Sequence, residues 1–263
     1  MAYIVFLSAF IGIPAVFFVF LNVFLRKLGC ELPNSLQAWP ALPVLGVHVL
    51  LALLYTSPWD NYLVATRVWW YDPDLVLGIT FGYVPLEEYL FFVGQTLLLG
   101  LAFLAAACLS APPASPFRSR PELRLVFGGL TLGVWLWGTF LVGAGRLAST
   151  YLGLELAWGM FPLTIQVAFG ADILWHYRRP VLWTLLPGTV LLSLADALAI
   201  HSGTWTIDPQ QSLGLSLGGV LPVEEFVFFF LTTSMVVFGV TLMIARQSHE
   251  RARWIPGRLR NPQ

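Results

Sequence analysis

The chain has 263 residues, of which 57% are hydrophobic and only 11% charged, and its mean hydropathy is +0.76. An average soluble domain is about 25% charged, so this composition excludes a soluble domain and predicts an integral membrane protein. Fourteen basic and fourteen acidic residues cancel, and no basic face for nucleic acid is evident. Cys30 and Cys108 lack the C-x-x-C spacing of a metal cluster and do not suggest a disulfide scaffold.

Seven segments are apolar over the roughly 20 residues that a membrane-spanning helix requires. The first begins directly after Met1, without a basic segment or a small-residue cleavage site. It is therefore interpreted as a spanning helix and not as a removed signal peptide. In chain order, the predicted spans cover residues 3–25, 38–57, 84–109, 124–144, 153–175, 181–200 and 219–245.

Basic residues are distributed unevenly over the loops between these spans. One side of the membrane holds only Arg67 and Arg146. Because cytoplasmic loops carry the excess of Lys and Arg, we predict that the N-terminus is outside and the C-terminus cytoplasmic. Cys30 and Cys108 then lie near the reducing side, where free thiols are expected. The cytoplasmic side holds the other twelve basic residues: Arg26, Lys27, Arg118, Arg120, Arg124, Arg178, Arg179, Arg246, Arg251, Arg253, Arg258 and Arg260.

Two stretches of the chain, residues 59–92 and 195–230, resemble each other. The first matches are at an offset of 136 residues: Asp60 with Asp196, Trp69 with Trp205, and Asp72-Pro73 with Asp208-Pro209. After one inserted residue the offset is 137, and Pro85, Glu87, Glu88, Phe91 and Phe92 match Pro222, Glu224, Glu225, Phe228 and Phe229.

This repeat predicts an all-α integral membrane protein in which two three-helix repeats are joined by the fourth helix (3+1+3). Residues 1–110 form the first repeat, residues 111–146 a linker with the fourth helix, and residues 147–263 the second repeat with a basic tail. Three spans plus one linker span give both copies the same orientation, so the repeats are parallel and related by an axis along the membrane normal.

An acidic motif opens the last helix of each repeat, PLEE at residues 85–88 and PVEE at residues 222–225. One interpretation is helix capping, because proline suits a first turn and acidic residues there offset the helix dipole. Capping accounts for one acid per helix, but it accounts less well for a doubled pair that occurs twice.

The alternative interpretation is acid–base chemistry. An ionised carboxyl inside a membrane is costly, so four of them around one cavity are not expected all to be charged. Some would act as acids and others as bases. The glutamates share helix faces with phenylalanines, and aromatic rings stabilise cations by roughly 0.5–2 kcal/mol. Such a pocket suits carbocation chemistry on an apolar substrate. The candidate acids and bases are Glu87, Glu88, Glu224 and Glu225.

The twin motifs, the aspartate upstream of each and the three-plus-three architecture resemble the heterodimer-type lycopene cyclases of bacteria and archaea, in a tandem fused form. The resemblance covers essentially the whole chain. It implies a lycopene β-cyclase of carotenoid biosynthesis that uses no redox cofactor and no metal. In that reaction a carboxylic acid protonates C2 of the terminal double bond, and the C5–C6 double bond attacks the C1 cation. Loss of a proton from C6 then gives a β-ring, whereas loss from C4 gives an ε-ring.

The resemblance also implies roles for individual residues. Acid and base are expected among the four glutamates, without a decision on which residue donates. Asp60 and Asp196 are expected to orient them, and Trp69 and Trp205 to line the site. Lycopene is the implied substrate, membrane lipids and other carotenoid-pathway enzymes are the implied partners, and the implied location is the cell membrane, as a multi-pass protein. The substrate contacts are completed by Phe91, Phe92, Phe228 and Phe229.

Other functions stay open from sequence. A small 3+1+3 transporter would also use parallel repeats, a cyclase of the same family could act on a C50 carotenoid, and a non-catalytic scaffold would need the glutamates only as caps. Gln210 stands where the first copy has Asp74, so the two halves need not be equivalent. Glu155 and Gln166 are candidates for polar cavity groups or interhelical hydrogen bonds.

Overall fold

The computed structural model describes residues 1–113 and 115–260, without the side chains of residues 254–260. It contains seven helical segments that are long and apolar enough to cross a membrane, which confirms the predicted number of spans. These segments are Tyr3–Lys27, Asn34–Ala65, Leu86–Leu109, Pro121–Ala144, Leu147–His176, Arg178–His201 and Val223–Ile244.

The first segment contains two α-helices joined by one wide turn of π-helix, Leu7–Gly12, and short 3₁₀ turns at Asn34–Leu36 and Leu147–Ser149 precede two of the others. The α-helices are α1 (Tyr3–Phe6), α2 (Ile13–Lys27), α3 (Ala41–Ala65), α4 (Leu86–Leu109), α5 (Pro121–Ala144), α6 (Thr150–His176), α7 (Arg178–His201), α8 (Val223–Ile244) and α9 (Arg246–Arg260).

Helix α3 is longer than the sequence predicts, because it continues through Pro58 for two more turns. Proline removes a backbone donor from a helix, and neighbouring side chains satisfy carbonyl groups around it. The Ser57 hydroxyl donates to the Leu53 carbonyl at 2.5 Å, and the Asn61 amide donates to the Ser57 carbonyl at 2.9 Å. Asp60 therefore lies on a helix and not in a loop.

The two helices that begin with the acidic motifs, α4 and α8, form the centre of the bundle. They pack against each other, with α2, α3 and α7 around α4 and with α3, α6 and α7 around α8. Helix α5 lies at the periphery against α6, where Gly138 brings the two backbones close together. Many large apolar side chains on the outer helix faces, such as Phe20 and Trp183, are exposed. Such faces suit contact with lipid.

Six short strands lie in the loops before α4 and α8. Strand β1 (Trp69–Tyr71) pairs antiparallel with β4 (Trp205–Ile207), so Trp69 lies opposite Ile207 and Tyr71 opposite Trp205. This pair joins the two loops, and a short hairpin leads from each loop into its acidic helix. The hairpins pair β2 (Thr80–Phe81) with β3 (Val84–Pro85), and β5 (Ser216–Leu217) with β6 (Leu221–Pro222).

The expectation of free thiols is wrong, since the structure joins Cys30 and Cys108 in a disulfide. Helix α2 packs along α4, and the ends of these helices bring the two Cα atoms to 5.9 Å, a usual separation for a bonded pair. The expected compartment says nothing about the distance between two residues that are 78 positions apart in the chain, and this distance depends on helix packing.

The basic tail is helical, and one of its residues holds it to the bundle. Arg251 of α9 donates two hydrogen bonds to the Asp172 carboxylate of α6, at 2.7 and 2.9 Å. Arg124 of α5 lies 3.8 Å from the same carboxylate. The side chains of Arg258 and Arg260, which the sequence analysis assigned to the tail, lie outside the described residues.

Candidate active site

A cavity of about 40 Å³ lies between the first turns of α4 and α8, and we call it the acid chamber. A water molecule needs roughly 10–15 Å³ of such space, so the chamber has room for about three. Glu88 from α4, Glu225 from α8 and Asp196 from α7 line it. It is also lined by five of the predicted aromatic residues, Trp69, Trp205, Phe91, Phe228 and Phe229.

Tyrosine hydroxyls hold the two chamber glutamates in place. Tyr3 and Tyr71 both donate a hydrogen bond to Oε2 of Glu88, the second at 3.0 Å. Tyr151 donates to Oε1 of Glu225 at 2.7 Å. Burial raises the pKa of Tyr71 well above its ordinary value, and the carboxyl groups of Asp60 and Glu88 add to this shift. The Tyr71 hydroxyl therefore remains a donor at neutral pH.

The other glutamate of each motif has a different environment. Glu87 and Glu224 are fully buried and do not line the chamber. Oε1 of Glu87 accepts the backbone N–H of Leu77 at 2.5 Å, and Oε1 of Glu224 accepts that of Leu213 at 2.6 Å. Each therefore fastens the preceding loop to the start of its helix. The four predicted glutamates form two pairs with different surroundings.

The two predicted aspartates also differ. Asp196 lines the chamber and accepts the indole N–H of Trp205 at 2.9 Å. Asp60 is completely buried beside the chamber, and neither of its oxygens has a hydrogen-bond partner among the described residues. Glu155 of α6 is buried in the same way.

Carboxyl groups thus crowd this end of the bundle, and none of the described side chains that line the chamber is positively charged. An ionised carboxyl group in an apolar interior needs a partner charge or several donors. The cluster therefore cannot be ionised throughout, and some of its members carry a proton. Proton donors and proton acceptors consequently lie around one small space.

Aromatic rings close the chamber on its inner side. Phe228 stacks on Trp59 with ring centroids 5.9 Å apart, and Trp59 stacks on Trp158 at 4.2 Å. Phe229 lies edge-on to Phe228 at 5.1 Å and to Phe91 at 6.2 Å. Several π-faces are therefore available to a cation that forms beside the glutamates.

A second cavity of about 250 Å³ lies on the other side of this aromatic layer, and we call it the inner cavity. Phe228 contributes to the walls of both cavities, whereas Phe92 lines only the inner one. The structure thus brings nine of the twelve predicted site residues to the walls of the two cavities. The other three, Glu87, Glu224 and Asp60, line neither cavity.

All six predicted aromatic residues line one of the two cavities, but the tyrosines that hold the glutamates were not predicted from the sequence. Tyr3 and Tyr151 each stand near the start of the first helix of a half, at an offset of 148 residues, and Pro14 and Pro162 share that offset. This pattern was available in the sequence. Tyr71 has no such counterpart, because Ile207 occupies the matching position, and only the paired loops bring it to Glu88.

A sequence model of the lycopene cyclase family matches two segments of the chain, residues 1–106 and 148–243. The chain belongs to the lycopene cyclase family. The segment between the two matches contains α5. No solved structure matches the chain.

Named relatives agree with this assignment. A lycopene beta-cyclase of Halobacterium salinarum is 40% identical over 197 residues, which cover 75% of this chain and 80% of that protein. A bifunctional lycopene cyclase/phytoene synthase of Podospora anserina is 37% identical over 213 residues, 75% of this chain and 34% of that protein. One from Leptosphaeria maculans is 36% identical over 200 residues, with 73% and 34% covered. The chain thus spans about a third of the length of the fungal relatives.

Proposed function

We propose that this protein is a lycopene β-cyclase of carotenoid biosynthesis, and that Glu88 and Glu225 are its acid and base. The observation that carries the assignment is that these two residues, from different helices, line one chamber walled by aromatic rings. Membership of the lycopene cyclase family supplies the substrate. The reaction is an isomerisation, so it needs no oxidant, no reductant and no leaving group.

The chemistry follows from the surroundings of the two glutamates. One carboxylic acid transfers its proton to C2 of the terminal double bond of lycopene, and the C5–C6 double bond then attacks the C1 cation and closes the ring. The second carboxyl group removes the proton from C6, which forms the β-ring. The rings of Phe91, Phe228 and Phe229 face the chamber and stabilise the passing cation. Once the substrate end group fills the chamber, no room remains for water to trap the cation.

Glu87 and Glu224 have a positioning role in this proposal. Their carboxyl groups accept backbone N–H groups of the preceding loops, and so they fix the first turns that carry Glu88 and Glu225. Asp196 and Asp60 are proposed as reservoirs for the shared protons, since Asp196 lines the chamber and Asp60 is buried beside it.

We further propose that the protein is a multi-pass protein of the cell membrane with two parallel three-helix repeats, residues 1–110 and 147–263, joined by α5 in the linker. The separate family matches on either side of α5 support this division. The pairing of β1 with β4 is also what two equivalent loops facing each other would form. Membrane lipids and other carotenoid-pathway enzymes are its proposed partners.

For the topology we propose an outside N-terminus and a cytoplasmic C-terminus, because seven spans would put twelve of the fourteen basic residues on one side of the membrane, and cytoplasmic loops carry the excess of Lys and Arg. The Cys30–Cys108 disulfide lies at this basic end, and a reducing cytoplasm does not explain it. Labelling of an introduced terminal tag on intact and on opened cells decides the orientation. If a C-terminal tag is labelled on intact cells, the C-terminus is outside and the proposed orientation is wrong.

The proposed reaction is tested by producing the protein in cells that make lycopene and separating their pigments by chromatography. We expect β-ring carotenoids without any added redox cofactor. Unchanged lycopene, with the protein present in the membrane fraction, would contradict the proposal. Cells that make a linear C50 carotenoid test the alternative substrate in the same way.

The acid–base roles are tested by Glu88→Gln and Glu225→Gln, which keep the shape of the side chain and remove its proton exchange. General acid or base catalysis contributes about 10²- to 10⁴-fold, so each variant should lose at least about a hundredfold in ring formation. Glu122→Gln is the matched control, because Glu122 also lies in the first turn of a spanning helix but is exposed. Full activity of both variants would leave only helix capping as a role for these residues.

A further inference from the structure

We propose that the inner cavity binds the linear polyene chain of the substrate, and that the chain enters it sideways from the lipid, between α3 and α6. The proposal rests on the proposed cyclase function and adds a binding site and a route to it. Four observations carry it: the size of the chamber, an opening at the surface, the lining of the inner cavity, and the packing of the opposite flank.

The acid chamber alone cannot hold the substrate. With space for about three water molecules, it is too small even for the methyl-branched end of the hydrocarbon. The inner cavity is about six times larger and shares the Phe228 ring with the chamber. An end group that reaches Glu88 and Glu225 must therefore displace this ring, and the chain behind it lies in the inner cavity.

The inner cavity reaches the outer surface of the bundle beside α3. Leu51 and Tyr55 line it, and both are also exposed on the outer face of the protein, at 54% and 39%. Nearer the chamber, α3 and α6 are held together, because the Tyr55 hydroxyl donates to the Trp158 carbonyl at 2.9 Å and the Trp59 indole to the Leu154 carbonyl at 3.2 Å. The opening thus lies beside Leu51, on the side of these hydrogen bonds that is farther from the acid chamber.

The depth of the inner cavity fits a chain that continues into the bilayer. Eleven residues of α8 separate Glu225 from Val236 at the far end of the cavity, which is about 16 Å along a helix. The hydrocarbon core of a bilayer is about 30 Å thick. A polyene with one end at the glutamates therefore leaves the protein near the bilayer midplane, where its remaining length lies among lipid chains.

Three polar side chains in the wall of the inner cavity form hydrogen bonds within the protein, whereas Oε1 of Gln166 has no hydrogen-bond partner among the described residues. The Gln95 amide donates to the Thr232 hydroxyl at 2.8 Å, and the Gln166 amide donates to the Met235 carbonyl at 3.0 Å. Nδ1 of His48 lies 2.8 Å from the Val44 carbonyl. These bonds fix the surrounding helices and leave a mostly apolar space, as a hydrocarbon ligand requires.

The corresponding position on the opposite flank is filled. The 136-residue offset between Asp60 and Asp196, extended back along α3 and α7, pairs Ala52 on the wall of the inner cavity with Gly188. A Cβ atom at Gly188 would lie 2.7 Å from Cδ2 of Leu99 and 3.3 Å from Cγ2 of Thr233. Helix α7 therefore packs directly on α4 and α8 at this depth. The two ends of the substrate must use the α3–α6 opening one after the other.

A matched pair of variants tests the opening. Leu50 and Leu51 are neighbours on α3 with nearly equal exposure, 55% and 54%, but only Leu51 lines the inner cavity. In lycopene-producing cells, Leu51→Trp should slow ring formation about tenfold or more, because the indole overfills the entrance. Leu50→Trp, which points its indole into lipid, should retain the activity of the unaltered protein. Activity is normalised to the protein found in the membrane.

A binding measurement separates entry from chemistry. The double variant Glu88→Gln, Glu225→Gln should be purified in detergent with lycopene bound, and addition of Leu51→Trp should remove most of that pigment, whereas Leu50→Trp should not. If the unaltered protein forms no cyclic product, the proposed function fails. If it does, and the two tryptophan variants have equal activity and equal bound pigment, the channel is overturned. Should Leu51→Trp fail to accumulate, Leu51→Phe replaces it, with Leu50→Phe as control.

Discussion

On one flank of the acid chamber, Ala52 of α3 lines a cavity of about 250 Å³, whereas on the other flank Gly188 of α7 lies against Leu99 and Thr233. These two positions correspond when the 136-residue offset of the repeat is extended back along α3 and α7. The difference between them is one methyl group, yet one flank contains a cavity and the other is closed.

The physical reason is the distance to which neighbouring helices can approach. A glycine lets two helix backbones come close, and α7 uses this at Gly188 to fill the space beside α4 with the Leu99 side chain. On the other flank, the bulky side chains of Tyr55 and Trp158 lie between α3 and α6, and their hydrogen bonds to backbone carbonyls join the two helices at that wider spacing. Under the proposed mechanism, a single substrate channel thus serves both copies of the acidic motif.

The difference in packing between the two flanks is tested most directly by introducing leucine at the corresponding position of each. Gly188→Leu should lower the free energy of unfolding by about 3 kcal/mol, since a whole side chain must enter a filled space. Ala52→Leu should change it by less than about 0.5 kcal/mol, because the new atoms project into the inner cavity. Thermal unfolding of both variants in detergent provides the measurement. Equal destabilisation would mean that the flanks are packed alike.

The layer between the chamber and the inner cavity provides the next test. Phe228→Ala removes the ring that both cavities share, and with it one cation-stabilising face, so ring formation should fall about tenfold. Phe230→Ala is the control on the same helix, because Phe230 is 41% exposed on the outer face. The initial rate of cyclic carotenoid formation distinguishes them, and an equal loss in both would deny Phe228 a special role.

The smallest effects should come from the tyrosines that hold the glutamates. Tyr151→Phe removes the one hydroxyl that donates to Glu225 among the described residues. Tyr71→Phe removes one of two donors to Glu88, and the hydrogen bond from Tyr3 remains. One such hydrogen bond contributes about 1 kcal/mol. Tyr151→Phe should therefore slow ring formation roughly fivefold, and Tyr71→Phe should slow it less. A larger effect of Tyr71→Phe would indicate that Tyr3 does not compensate, and parallel rate measurements decide this.

Much of the site follows from local sequence because the repeat marks it twice. The motifs PLEE and PVEE identify the first turns of two long apolar helices, and helix geometry then places Glu88 beside Phe91 on one helix and Glu225 beside Phe228 on the other. The sequence could not separate Glu87 from Glu88. Which of two adjacent side chains faces the chamber depends on how each helix is rotated against its neighbours, and this is a property of packing.

Other features depend on contacts between distant parts of the chain. Tyr3 reaches Glu88 across 85 residues, and Cys30 reaches Cys108 across 78. The expectation for the cysteines came from their compartment, and it was wrong because the packing of α2 along α4 determines whether the sulfur atoms meet. The pairing of β1 with β4 likewise joins strands too short to be recognised from their sequence.

The sequence by itself determined the number of helices that are apolar enough to span a membrane, and it predicted the acid–base chemistry that we propose for the acidic motifs. These properties depend on hydropathy and on residue types within a few helical turns, and local sequence contains that information. Only the tertiary structure decided which glutamates face the chamber, which tyrosines hold them, and that one flank is open while the other is closed. Those outcomes depend on interhelical distances of a few ångströms, which side chains from all parts of the chain set together.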